Sequence, residues 1–185
     1  MRTFSLILVF FLLFTAAGSL VAPHPASGAS ASEIYRNAYG ALQKLYADST
    51  SASMLGQSAK AILVFPNIVK GGFIVGGQYG EGVLFMNGKT AGYYNTVQAS
   101  YGLQAGLQKY GYALFLMDDT AIEWINKTGG WELGTGPSIV VVDVGKAKAL
   151  TTTTLHSGIY AFFFNQKGLM AGIGLQGTKI TRINK

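Results

Sequence analysis

Gly88-Lys89-Thr90 has the ending of a phosphate-binding P-loop, in which backbone N–H groups and a lysine cradle phosphate oxygens. That motif also needs a glycine five positions before its Gly-Lys pair, where Val83 stands, and Asn87-Gly88 between two apolar runs reads instead as a hairpin turn. Gly172-Ile173-Gly174-Leu175-Gln176-Gly177 spells a dinucleotide fingerprint, but the short stretch to Lys185 leaves no room for the helix and second strand that give those glycines their purpose. His156 is the one histidine beyond the N-terminal leader, so a His-based metal site or a Ser-His-Asp arrangement would have to be built around it; no Gly-x-Ser-x-Gly elbow accompanies it. Asp118, Asp119 and Glu123 form the one acidic cluster, and clustered carboxylates bind hard cations. Acids in a first helical turn are also favoured by unpaired N–H groups and the helix dipole, which is sufficient reason for all three. Cysteine is absent, which removes disulfides, thiolate nucleophiles and Cys-based metal sites. The residues predict a binding or structural protein, not an enzyme, with no metal and no cofactor.

The elements that would position a binding surface are legible. Ser30 and Glu33 have capping-box spacing, and Ile34, Ala38, Ala41, Leu42 and Leu45 recur at helical intervals up to Asp48-Ser49-Thr50. A shorter helix is expected over 52–59. Ala61 to Phe65 is an apolar run closed by Pro66, and Gly71 to Gly77 follows; both read as strands buried on two faces. Val83 to Met86, Asn87-Gly88 and Lys89 to Tyr94 predict a two-residue hairpin. From Val97 to Gln108 apolar and polar residues alternate, which places Val97, Ala99, Tyr101, Leu103, Ala105 and Leu107 on the core face. A strand over 110–117, a short helix capped by Thr120 and Glu123, and strands at 139–144, 159–164 and within 169–183 complete the chain. The expected fold is α+β: an N-terminal amphipathic helix, then a curved, mostly antiparallel, barrel-like sheet with one or two short helices.

Charge and leader bear on place. Of 185 residues, 12% are charged, 49% are hydrophobic and 25 are glycine, which excludes disorder. Met1-Arg2, the apolar run Phe4 to Phe14 and the small residues after it have the three parts of a secretory signal. Residues 1–28 are read as signal peptide and cleavage region and 29–185 as a single domain. An uncleaved anchor reaching Ala22 is the alternative. Export places the domain in the periplasm or envelope, or outside the cell. Losing Arg2 leaves the formal charge one below the +6 of the full chain. That balance suits anionic head groups, and no basic run points to nucleic acid.

Taken together, Phe65-Pro66-Asn67-Ile68-Val69-Lys70-Gly71-Gly72-Phe73 and Gly76-Gly77-Gln78-Tyr79-Gly80-Glu81-Gly82 resemble the opening signature of the SYLF domain, also called the Ysc84-type actin-binding domain. Gly102 to Gln108, Leu114 to Met117, Trp131 to Gly134, Gly168 to Ala171 and Leu175 to Ile180 extend the resemblance in the family's order, over essentially the whole mature chain. It implies a lipid-binding domain, whose eukaryotic relatives bind phosphoinositides through an N-terminal amphipathic, basic segment; some of them bind actin. Carried to this chain it makes Phe65, Pro66, Gly71, Gly72, Gly76, Gly77, Gly80 and Gly82 structural signature residues.

The residues expected to meet anionic phospholipid are Arg36 and Lys44 on the first helix, joined by Lys60 and Lys70 near the signature. Two other readings use the same composition: a small outer-membrane β-barrel, and an envelope scaffold for which lipid is incidental. Actin is set aside for a chain with a bacterial-looking leader.

Overall fold

The computed structural model describes residues 28–127, 129–142, 158–167, 175 and 177–185, with side chains except at 73–75, 100–106 and 167. His156, the cleavage region, the 144 end of the fourth strand and most of the 172–177 fingerprint lie outside the described residues.

Helix α1 (Ala31–Asp48) starts where the sequence places it. Ser30 is extended, and its side chain accepts the Glu33 N–H at 3.2 Å. One stripe is buried: Ile34, Ala38, Leu42 and Leu45. Ser49 joins two helices, its N–H donating to the Leu45 carbonyl at 2.9 Å while its hydroxyl accepts from the Ala52 N–H at 3.2 Å. Helix α2 (Thr50–Ser58) therefore begins two residues earlier than expected.

Strands β1 (Ala61–Met86) and β2 (Lys89–Leu116) form one very long antiparallel hairpin. Its turn is Asn87-Gly88, with φ of 51° and 72°, the two positive angles that such a turn requires. Pro66 does not end a strand. It sits in a bulge between Phe65 and Ile68, opposite Gly111, where its missing N–H interrupts no ladder bond. A second irregularity falls between Gly72 and Ile74. Gly72 and Gly77 are exposed there, so the run expected to be buried on both faces is not.

Beyond the hairpin come α3 (Asp119–Ile125), β3 (Trp131–Glu132), β4 (Ile139–Val142), β5 (Ile159–Lys167) and β6 (Lys179–Ile183). The sheet order is β3-β6-β2-β5-β4, with β1 paired to β2; all pairs are antiparallel except β4 with β5. Asp118, not Thr120, caps α3: one carboxylate oxygen accepts from the Ala121 N–H at 2.8 Å and the other from the Gly158 N–H at 2.9 Å. The cap thus ties α3 to the residue that precedes β5. The helix ends at Ile125, short of Gly129-Gly130.

The sheet curls into a half-barrel, and both of its faces carry a core. The concave interior holds Leu63, Phe65, Ile68, Leu84, Tyr94, Tyr110, Tyr112, Leu114, Trp131 and Ile180. The convex face packs Ile62, Val64, Val83, Phe85, Ala113, Phe115, Tyr160 and Phe162 under α1 and α2. Curling brings the two limbs of β1 together. A Cβ at Gly80 would meet the Asn67 carbonyl oxygen at 2.8 Å, and one at Gly82 would collide with the Val64 carbonyl. Glycine is required at both because backbone occupies the space of a side chain.

Candidate functional site

Among the described residues the convex face is covered at one end only, by α1 and α2. Beyond the start of α1 no described element packs on it, and the side chains that emerge there are Val69, Tyr79, Val97 and Leu107, which are 42%, 49%, 44% and 64% exposed. Directly opposite residues on paired strands share a face. Tyr79 pairs with Val97, Val97 with Lys179, Val69 with Lys109, and Gly71 with Leu107. Exposed Lys109 and Lys179 therefore stand among the four apolar side chains. Where α1 meets this area, a cleft of about 310 Å³ opens between Ile34 and Asn37 of the helix and Pro66, Asn67, Val69 and Tyr79 of β1.

The arrangement corrects the sequence reading of Val97 to Gln108. Val97 and Leu107, expected in the core, face outward, while Thr96 is fully buried and its hydroxyl lies 2.7 Å from that of Tyr112. Alternation separates two faces without saying which is inside, and here the curled interior accepts polar groups that bond one another. The Tyr110 hydroxyl donates to the Gln78 side-chain oxygen at 2.5 Å, and the Gln78 amide reaches Thr178 at 3.4 Å. Burial pushes the Tyr110 hydroxyl up to about 12, against a smaller opposing pull from the Gln78 hydrogen bond. Fully buried Tyr112 is raised further by the same desolvation. These tyrosines are neutral, structural hydrogen-bonding groups.

The four cations singled out from sequence stand in different settings. Arg36 is exposed on α1, away from the buried stripe. Lys44 pairs with Asp48 one turn on, at 2.9 Å. Lys60 pairs with Asp119 at the start of α3. Lys70, half-buried, lies beside Val69 in β1, opposite Gln108, on the other face of the strand. Arg36 and Lys44 share the outward side of α1, whereas Lys60 and Lys70 sit at opposite ends of the first limb of β1. Asp118 and Asp119 of the acidic cluster are thus taken up by a helix cap and an ion pair.

Lys109 and Lys179 were not singled out in the sequence. The signal was present in the alternation, since Lys109 continues the odd-numbered face of Val97 to Leu107, but that face reads as core until the curl is known. Among the signature residues, Phe65 is buried against Tyr112 with ring centroids 4.9 Å apart, Pro66 occupies the bulge, and Gly71 and Gly72 lead into the second irregularity. Gly76 and Gly77 begin the returning limb, and Gly80 and Gly82 make its close approach.

A curled half-barrel under an amphipathic helix, with an apolar and basic patch at one end, defines a domain of the α+β class. Residues 97–185 match the Ysc84 family, described as Las17-binding protein actin regulator, a match that supports a lipid- or actin-binding domain and nothing finer. The match opens at Val97, so the Phe65 to Gly82 segment precedes the matched residues. No curated protein matches the chain.

Proposed function

We propose that this is an exported, non-enzymatic protein that rests the uncovered convex face of its half-barrel on anionic phospholipid at the cell envelope. The observation that carries the reading is the placement of Val69, Tyr79, Val97 and Leu107 around Lys109 and Lys179 on one exposed surface. Apolar side chains gain by leaving water for the acyl boundary, and each lysine near an anionic surface contributes about 1 kcal/mol. Arg36, exposed on α1, adds to the positive charge of the protein's surface, whereas Lys70 points to the other face of β1. The leader supports export, and the actin-related wording of the family's description is not carried over to a chain with such a leader. No helix among the described residues is long and apolar enough to cross a membrane. A spanning barrel would turn its convex face to lipid, but here α1 and α2 pack on that face, which favours peripheral attachment.

Vesicle flotation tests the proposal. The protein is expected to float with vesicles containing phosphatidylglycerol and to stay behind with phosphatidylcholine alone; absence from both floated fractions would count against it. Release from membranes by salt or carbonate, without detergent, separates the peripheral reading from the barrel.

A further inference from the structure

Lys185 does more than end the described chain beyond β6. Its ammonium group donates to the Glu81 carboxylate at 2.9 Å and to the Ala29 carbonyl at 3.0 Å, so one side chain ties the residue preceding the Ser30 cap of α1 to the second limb of β1. The pair is enclosed, with the Lys185 and Glu81 side chains only 17% and 12% exposed. The other two ion pairs among the described residues are far more open. Space is tight as well: a Cβ at Gly28 would come within 3.0 Å of the Lys185 nitrogen and 3.3 Å of the Glu81 carboxylate. The Tyr79 hydroxyl donates to the same carboxylate at 3.0 Å, and its ring belongs to the exposed patch. The contact therefore links the start of α1 directly to the surface assigned to the membrane.

We infer that Lys185, Glu81 and the Ala29 carbonyl form a latch that keeps the first turns of α1 closed over the convex sheet, and that an anionic lipid surface opens it. This rests on the membrane reading above. A phosphate group competes with Glu81 for the Lys185 ammonium, and the negative surface repels the Glu81 carboxylate once its partner is drawn away. Partial burial protects the pair from salt, so bulk ions open it poorly while a concentrated array of phosphates does. Release frees the first turns of α1 to leave the sheet. Ile34 and Ala38, together with Val64 and Val83 beneath them, then become available to acyl chains, so that opening enlarges the apolar contact that the bare patch begins.

The latch is tested in the full-length protein with Lys185→Ala and Glu81→Gln, with Glu123→Gln at an exposed position of α3 as a control that removes one negative charge elsewhere. Hydrogen exchange of the lipid-free protein is read at the amides of residues 31–38, and flotation is measured on phosphatidylglycerol vesicles. Losing a charged hydrogen-bonded pair of this kind should speed local exchange roughly tenfold in both latch variants and leave Glu123→Gln unchanged. The decisive result is flotation of Lys185→Ala: it rises although a cation has been removed. Unchanged exchange in both latch variants overturns the latch. Faster exchange with flotation that falls or stays level overturns its control of membrane binding. Failure of the wild type to float, with exchange still accelerated in both variants, supports the latch as a conformational contact and sinks the membrane reading instead. A cooperative unfolding transition in each variant confirms that the change is local.

Discussion

The carbonyl oxygen of Val64 lies directly against Gly82, so that the two limbs of a single strand touch where a side chain would otherwise stand. This contact closes the half-barrel. It also explains the glycine spacing of the second signature segment, since Gly80 meets the Asn67 carbonyl and Ile68 in the same manner.

Gly82→Ala is expected to destabilise the protein by about 1 to 3 kcal/mol, because a methyl group forced against backbone cannot be accommodated by rotamer change. Gly40→Ala provides the contrast: Gly40 lies within α1 with nothing within 4 Å of a Cβ, and the change should stabilise by about 0.5 to 1 kcal/mol. Urea unfolding midpoints of the two variants should move in opposite directions.

Gly88→Ala isolates a different penalty. No atom lies within 4 Å of a Cβ there, but φ is +72°, so the expected loss of about 1 to 2 kcal/mol comes from the left-handed backbone alone. Asn87→Gly at the neighbouring position, φ 51°, should be nearly neutral. The same chemical denaturation measurement reads both.

Asp118→Ala removes the cap of α3 and its bond to the Gly158 N–H together. A loss of about 1 to 2 kcal/mol is expected, whereas Thr120→Ala, at the position the capping-box pattern favours, should cost little. Similar losses for both variants would contradict the assigned cap.

Tyr110 sets an alkaline limit on stability. Its hydroxyl is raised from 10.0 to about 12 in the folded protein, so the folded state holds this proton more tightly than the unfolded chain. The resulting stabilisation is complete below pH 10 and is lost as pH rises towards 12; the more strongly raised Tyr112 acts in the same direction. Thermal unfolding followed between pH 9 and about 12 should show a falling midpoint, with tyrosinate absorbance appearing together with unfolding. Tyr110→Phe should weaken the pH dependence while leaving the Gln78 oxygen without its donor, at a cost of about 1 to 3 kcal/mol at neutral pH.

Lys109→Gln and Lys179→Gln should each weaken binding to phosphatidylglycerol vesicles roughly fivefold, as expected for about 1 kcal/mol per lysine. Leu107→Asp should abolish flotation by placing a carboxylate where apolar surface meets lipid. Because all three side chains are exposed, thermal stability should hardly change, and a large loss of it would mean that this face is core.

Much of this protein is local and was readable in order along the chain. The Ser30 cap and its apolar stripe determine α1, the two positive-φ positions at Asn87-Gly88 determine the hairpin, and the unbroken run Ala61 to Phe65 determines a strand buried on two sides. Each depends on residues within a few positions of one another, where propensity, capping and turn geometry act. The direction in which Val97 and Leu107 point, the crossing of Val64 by Gly82, and the meeting of Lys185 with Glu81 depend on the curl of the sheet, which joins residues far apart in sequence. A period of two separates the faces of a strand but cannot name the inner one, and in a sheet with a core on each side only tertiary packing decides which side chains stay exposed.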